Sequence, residues 1–207
     1  MSDVSETTQS ERDTVVRRLV DESEIRAVLT RYARGIDRFD ADLVRSCYHD
    51  DATEVHGYYN GPVDGFIEYS FRWRDKIESW THWLGQSTIE LHGDSAWVET
   101  YCLCPLRTLP AEKGSPPTDR LSTIRYNDLF ERRRGVWRIA RRKLIHHPGR
   151  IDPVMINPPL AEAAMRARMD RDDPSYDRRP ESFLSVTPSA TRSRSELRRT
   201  QRVDGKT

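Results

Sequence analysis

The first strong pattern of hydrophobic and polar positions lies between residues 21 and 37. Its apolar positions recur at three- and four-residue intervals and comprise Ile25, Val28, Leu29, Tyr32, Ala33 and Ile36. This spacing predicts an amphipathic helix with one buried face, which Asp21 or Ser23 would cap at its start. A second, short helix is predicted from Ala41 with Asp40 as its N-cap, and residues 63–78 again show helical spacing.

The remaining pattern is that of β-strands separated by turn residues. We predict strands at Thr53–Tyr59, Trp80–Leu91, Ala96–Leu109, Arg120–Arg132 and Val136–Ile145. Helices followed by long antiparallel strands indicate an α+β domain. We therefore expect a cone-shaped barrel, in which a curved antiparallel sheet is wrapped by the N-terminal helices and a C-terminal extension follows. The open end of such a cone is a natural pocket for a small molecule.

The two ends of the chain differ from this body in composition. Residues 1–18 and 185–207 hold too few apolar side chains to offset the entropy of ordering them, so both are predicted to be disordered. The barrel is assigned to residues 19–147 and an ordered, proline-containing extension to residues 148–184. This extension could cap the pocket or contact a neighbouring subunit.

Charge and cysteine content exclude several classes of protein. The 34 basic and 33 acidic residues leave a net charge of +1, which provides no overall field for attracting nucleic acid. No apolar run is long enough to span a membrane, and the first residues lack a hydrophobic signal core, so we expect a cytoplasmic protein. Three cysteines argue against a disulfide scaffold, and no Cys, His and carboxylate set has metal-ligand spacing. No metal or cofactor is expected.

Two residues stand out as candidates for acid–base chemistry. Asp37 lies at the edge of the apolar face of the first helix, near its C-terminus, where burial and the helix dipole would both raise its pKa. His82 lies in the apolar run of the predicted strand Trp80–Leu91. If they meet, Asp37 would orient the imidazole as a general base. The alternatives are a helix-surface ion pair between Asp37 and Arg34 or Arg38, and a structural histidine in the core.

Two further polar positions have two interpretations each. His56, on the predicted short strand, could line the same cavity or face solvent. Asp128 belongs to an alternating strand, and we favour an ion pair with an arginine such as Arg142 over a role as a cavity group.

Three segments, in order, resemble a known family. They are EIRAVLTRYARGIDRFDADLVRSCYHDDATEVHG, THWLGQSTIELHGDSAWVETY and DLFERRRGVWRIARRKL. They resemble the SnoaL-like group of the nuclear transport factor two-like superfamily, whose fold is a cone-shaped α+β barrel. Scytalone dehydratase and lindane dehydrochlorinase, two enzymes of this superfamily, use an Asp–His base, and the resemblance places that pair at Asp37 and His82.

The resemblance also implies residues that would bind substrate. His56 occupies about the position of a substrate-orienting tyrosine in the dehydratase, and Tyr32 that of a lysine in the dehydrochlorinase. With Tyr101 and Trp80, these residues are expected to contact a small, largely apolar, cyclic substrate.

The expected function is therefore a cofactor-independent lyase or isomerase of dehydratase type. The same superfamily contains non-catalytic small subunits of aromatic-ring-hydroxylating dioxygenases, ligand-binding modules and polyketide cyclases, which remain as alternatives. Relatives with this fold commonly form homodimers or homotrimers, so a homo-oligomer without nucleic-acid or membrane partners is expected.

Overall fold

A computed structural model describes residues 8–154 and 164–183 of the 207-residue chain. Three α-helices, α1 (Gln9–Asp37), α2 (Ala41–Arg45) and α3 (Val63–Phe71), precede most of the strands. The eight strands are β1 (Tyr48–His56), β2 (Tyr59–Pro62), β3 (Ile77–Trp80), β4 (Trp83–His92), β5 (Ser95–Thr108), β6 (Thr118–Arg133), β7 (Val136–His146) and β8 (Arg150–Pro153). Single 3-10 turns occur at Arg74–Lys76, Pro174–Tyr176 and Pro180–Phe183.

The strands form one strongly curled sheet, a half-barrel around the long helix α1. Its order is β2-β1-β7-β6-β5-β3, while β4 also pairs with β5 and β8 with β6. The predicted α+β class and curved sheet are thereby confirmed. One pair departs from the antiparallel arrangement, because β1 runs parallel to β7. No helix in the described part of the chain is long and apolar enough to cross a membrane.

Helix α1 begins well before the predicted start. Thr8 Oγ1 accepts a hydrogen bond from the backbone N–H of Glu11, and the Glu11 carboxylate accepts the backbone N–H of Thr8 at 2.7 Å. This reciprocal capping box satisfies two of the free amides at a helix start. Disorder was therefore wrongly expected for residues 9–18, which are helical. Residues 1–7 lie outside the described residues.

Asp21, predicted as a helix cap, instead ties α1 to the sheet. It is buried, and its Oδ1 accepts hydrogen bonds from Trp137 Nε1 at 2.9 Å and from Arg132 at 2.7 Å. A buried carboxylate needs such partners to offset the loss of hydration. This contact holds the middle of α1 against β6 and β7.

The predicted strand Trp80–Leu91 is divided into β3 and β4 by Thr81 and His82. The backbone N–H of Thr81 donates to the carbonyl of Pro105 at 3.1 Å, whereas that of His82 donates to Asp37 Oδ1 at 3.0 Å. Because a side chain of α1 takes this N–H, the pairing with β5 is interrupted there. His82 therefore lies on a short connection and not within a strand.

A buried ion pair occupies the interior between α1 and the sheet. Arg142 donates two hydrogen bonds to Asp128, at 2.7 and 2.6 Å, and both side chains are fully buried. The guanidinium also lies 4.2 Å from the ring centroid of Tyr32 and 4.0 Å from that of Tyr126. The predicted partnership of Asp128 and Arg142 is thus present, and aromatic faces surround the cation.

Burial and pairing have opposite effects on these two ionisable groups. Burial raises the pKa of Asp128, and the adjacent guanidinium opposes that rise. Although burial alone would lower the pKa of Arg142, Asp128 holds it well above its usual range. The positive charge at the centre of the barrel is therefore retained under all ordinary conditions.

Replacing Arg142 by methionine should destabilise the fold strongly, because Asp128 would be left buried and unpaired. We expect Arg142→Met to lower the free energy of unfolding in urea by about 3–5 kcal/mol, and Arg142→Met/Asp128→Leu to cost less than that. Arg133→Met is the matched control, since Arg133 and Asp51 are both largely exposed and such pairs are worth about 1 kcal/mol or less. Equal losses for Arg142→Met and Arg133→Met would contradict this.

Candidate active site

Asp37 and His82 meet at the end of α1. Asp37 is the last residue of the helix, and its Oδ1 accepts the backbone N–H of His82 at 3.0 Å and lies 2.7 Å from Nδ1 of the same residue. The carboxylate accepts from Nδ1, so the neutral imidazole carries its proton there. Among the described residues, none hydrogen-bonds to the opposite nitrogen, Nε2, which is therefore the nitrogen available to a substrate.

The neighbouring arginines have other partners. Arg38 donates to Asp173, and the Arg34 guanidinium lies 4.5 Å from the ring centroid of Tyr176. Both contacts lead to the C-terminal extension. The helix-surface ion pair considered for Asp37 is therefore replaced by the contact with His82.

The surroundings of this pair are largely apolar. The His82 side chain is only 4% exposed and that of Asp37 15%. The Trp80 ring lies 5.0 Å from the imidazole and 6.0 Å from the Phe39 ring, measured between centroids. Low solvent exposure strengthens the attraction between a carboxylate and an imidazolium, so this environment suits a general base.

His56 forms a second pair with a carboxylate. Its Nδ1 lies 3.0 Å from Oε1 of Glu54, whose other oxygen, Oε2, accepts the Tyr48 hydroxyl at 2.6 Å. Arg142 donates to the Tyr48 hydroxyl at 3.4 Å, which links this pair to the barrel interior. Glu54 was not identified from the sequence. Its position two residues before His56 on one strand was the available signal, because such residues share a face.

Two other predicted substrate contacts lie elsewhere. Tyr32 is buried in the aromatic group around Arg142, and burial raises its pKa well above the usual range. Tyr101 is 47% exposed on the outer face of β5, whereas Thr100 and Cys102 on either side of it are buried. The alternation of side chains along a strand therefore places Tyr101 on the face opposite the barrel interior, and its contact with a substrate stays a prediction.

Residues 17–143 of the chain match the family model of the SnoaL-like domain. This match spans more than half of the chain. The protein belongs to the SnoaL-like family. The resemblance stated from the sequence is thereby confirmed, while a comparison with curated proteins gives no match.

Solved structures share the fold of this SnoaL-like protein at low sequence identity. A hexachlorocyclohexane dehydrochlorinase, LinA-type3 from Novosphingobium barchaimii LL02, is 20% identical, with 70% of this chain and 99% of that chain covered and a TM-score of 0.59. A candidate scytalone dehydratase from Novosphingobium aromaticivorans is 14% identical, with coverages of 72% and 97% and a TM-score of 0.57. Kfla4162 from Kribbella flavida is 18% identical, with coverages of 64% and 95% and a TM-score of 0.59. At these identities, the likeness establishes the fold.

The structure of this SnoaL-like protein also contains a surface cleft close to His82. It has a volume of about 300 Å³ and is lined by Ser79, Thr81, Pro105, Leu106, Arg107, Asp119, Arg120, Leu121, Arg150 and Asp152. Neither His82 nor Asp37 lines it. A substrate pocket at the open end of the barrel therefore stays a prediction. Within residues 8–154 and 164–183, no group of three or more His, Cys, Asp or Glu residues is arranged to hold a metal ion.

The described part of the C-terminal extension packs beside the end of α1. Asp173 accepts hydrogen bonds from Arg38, Ser175 and the backbone N–H of Arg168. Arg171 donates to Asp40 at 2.9 Å, immediately before α2. Residues 155–163 and the predicted tail at 185–207 lie outside the described residues. These contacts place residues 168–176 against the helix end that carries Asp37.

Asp173 should make the docking of this segment dependent on pH. Burial alone would raise the pKa of Asp173, but hydrogen bonds from Ser175 and the Arg168 backbone outweigh it and lower the pKa to about 2. A lowered pKa means that the stabilisation is complete above the ordinary value of 3.8 and is lost as the pH falls through about 2. Carboxyl NMR should therefore show Asp173 titrating near 2.

Removing the Asp173 charge should release the segment at neutral pH. We expect Asp173→Asn to speed tryptic cleavage at Arg168 and Arg171 several-fold, whereas Asp152→Asn, at a 56% exposed side chain that pairs with Arg150, should not. An Asp173 titration near the ordinary value, together with unchanged cleavage, would show that this carboxylate does not hold the extension.

Proposed function

We propose that this protein is a cofactor-independent lyase or isomerase of dehydratase type, which acts on a small, largely apolar, cyclic substrate. The observation that carries the proposal is the 2.7 Å contact between Asp37 and Nδ1 of His82. Membership of the SnoaL-like family supports it. Two structures of the same fold bear the names of a dehydratase and a dehydrochlorinase, and both names describe eliminations.

His82 is the general base of the proposed reaction. Its Nδ1–H is donated to Asp37, which directs the lone pair of Nε2 away from the helix end. Nε2 removes a proton from a carbon next to a carbonyl or to the carbon that bears the leaving group. The resulting imidazolium is stabilised by Asp37, and positioned general bases contribute about 10²–10⁴ to a rate.

Asp37 is held for this role by a second contact. Its Oδ1 also accepts the backbone N–H of His82, so one carboxylate oxygen contacts both the backbone and the ring of the same residue. This double contact fixes the orientation of the ring before substrate binds. Preorganisation of this kind lowers the reorganisation needed during the reaction.

The expected substrate follows from the side chains near His82. The Trp80 ring borders it, the Phe39 ring packs beside Trp80, and the buried thiols of Cys102 and Cys104 lie on the inner face of β5. Aromatic and sulfur surfaces favour an apolar, flat molecule.

A homo-oligomer remains part of the proposal. The exposed side chains of Trp83, Trp97 and Leu103 support it, since apolar groups on an outer sheet surface commonly mark interfaces.

A probe reaction of defined chemistry tests the base. 5-Nitrobenzisoxazole is small, flat and apolar, and loss of its C3 proton with N–O cleavage gives a coloured cyanophenolate. We expect the wild-type protein to accelerate this elimination and His82→Gln to lower the rate by about 10² or more. Asp37→Asn should lower it by a smaller factor, because the imidazole remains but its orientation is lost.

His92→Gln is the matched control, since His92 is exposed at the turn between β4 and β5. It should keep the wild-type rate. Circular dichroism and urea unfolding would verify that each variant is folded. If folded His82→Gln turns the probe over at the wild-type rate, the proposed base is wrong, and a binding module or a dioxygenase-type small subunit becomes the better interpretation.

A further inference from the structure

The barrel contains two histidine–carboxylate pairs, and the proposed base uses only one of them. We propose that His56, positioned by Glu54, is the general acid of the same site and protonates the departing oxygen while His82 removes the carbon-bound proton. This inference rests on the proposed function. It assigns a proton donor to an elimination for which Asp37 and His82 provide only the base.

The second pair is built in the same way as the first. In each, the carboxylate lies within 3.0 Å of Nδ1 of the histidine, and none of the described residues hydrogen-bonds to Nε2. Glu54 is fully buried, while the His56 side chain remains 24% exposed. A buried carboxylate next to a partly accessible imidazole stabilises the imidazolium, which is the form that donates a proton from Nε2.

Glu54 is itself fixed from the interior of the barrel. Its Oε2 accepts the Tyr48 hydroxyl at 2.6 Å, and Arg142 approaches that hydroxyl at 3.4 Å. The His56 ring packs against Phe66, with 4.9 Å between centroids. The imidazole is therefore held by a hydrogen bond on one edge and by an aromatic side chain on one face. Such restraint is typical of a functional group and unnecessary for a solvated histidine.

Strand register places the two histidines at the same end of the barrel. Leu84, two residues after His82, pairs with Cys102 across β4 and β5. Cys102 pairs with Ile124 of β6, and Ile124 pairs with His146 of β7. On the other side, Val55 pairs with Lys143, which puts His56 beside Leu144, two residues before His146. Buried Cys102 and Ile124 show that this row faces the interior. His56 on β1 and His82 beside β4 therefore lie near the two ends of one row of interior-facing positions.

The charged and titratable groups around His56 are consistent with a proton donor. Glu54 and Tyr48 come from β1, Tyr59 from β2, and Arg142 and His146 from β7. Burial and the nearby His56 lower the pKa of His146. Among the described residues, Glu54 is the acidic side chain that hydrogen-bonds to the imidazole of His56.

The proposed step balances in atoms and charge. His82 Nε2 takes the carbon-bound proton, and the electron pair of that C–H bond forms the new double bond. The bond to the leaving oxygen breaks with both electrons on oxygen, which takes the proton from His56 Nε2. The oxygen departs as a neutral hydroxyl or as water. His82 ends protonated and His56 neutral, and exchange with solvent restores both.

A series of benzisoxazoles with different leaving groups distinguishes the acid from the base. The unsubstituted compound has a basic leaving oxygen that needs protonation, whereas the leaving oxygen of the 5-nitro compound is less basic and departs largely without protonation. We expect His56→Gln to slow the unsubstituted compound by about 10² and the nitro compound by only a few-fold. The dependence of log rate on the leaving-group pKa therefore steepens. His82→Gln should slow every member by a similar factor.

Glu54→Gln tests the positioning role of the carboxylate. It should steepen the same dependence, because an amide stabilises the imidazolium less well, and it should shift the alkaline limb of the pH–rate profile for the unsubstituted compound to lower pH, because His56 must be protonated to act. If Glu54 had only a structural role, Glu54→Gln would lower the stability of the fold and leave both the leaving-group dependence and the pH–rate profile unchanged. Tyr48→Phe is the companion variant, since it keeps the ring and removes one hydrogen bond to Glu54. His92→Gln again serves as the control.

Each outcome decides between the two hypotheses. If the wild-type protein turns over the series and His56→Gln does not change the dependence of rate on leaving-group pKa, the general acid is overturned and the base is retained. A steeper dependence in folded His56→Gln supports the general acid. Absence of turnover by the wild type for every member, or wild-type rates in His82→Gln, overturns the proposed function and the general acid together.

Discussion

The buried charge of Arg142 is the constraint on which the interior of this barrel depends. A guanidinium at the centre of a protein must be paired and surrounded, because its desolvation costs several kcal/mol. Asp128 neutralises it through two short hydrogen bonds, while Tyr32 and Tyr126 present their ring faces to it. The polar groups of β1, β6, β7 and α1 therefore converge on one point. The Tyr48 hydroxyl extends this network to Glu54 and so to His56.

Helix α1 carries Asp37 of the candidate site, and two carboxylates attach this helix to the rest of the barrel. Asp21 accepts from Trp137 and Arg132, and sixteen residues further on Asp37 accepts twice from His82. The first contact sets the position of the helix on the sheet, and the second joins its C-terminus to the connection between β3 and β4. Small displacements of α1 would therefore alter the orientation of the His82 ring, which links the stability of the helix packing to the proposed chemistry.

Both histidines owe their orientation to groups that are distant in the sequence or opposite on a strand. His82 meets a residue 45 positions earlier, and this meeting requires both the end of α1 and the interruption between β3 and β4. The Glu54–His56 pair is local, since the two lie on one face of β1. Its proposed role nevertheless depends on β7, β6 and β5, whose register relates β1 to the row of positions that begins two residues after His82.

The sequence by itself determined most of the helices and strands, the α+β class, the family and the candidates Asp37 and His82. Periodicity and local motifs suffice for these, because burial repeats at fixed spacing along each element. The disorder expected for residues 9–18 was wrong, because their helix depends on a capping box at Thr8, and the exposure of Tyr101 depends on which face of β5 is buried. Only the tertiary structure decided which of the alternative polar contacts form, such as that of Asp37 with His82 and not with Arg34 or Arg38. Those contacts depend on helix position and strand register, and neither is encoded in the spacing of one segment.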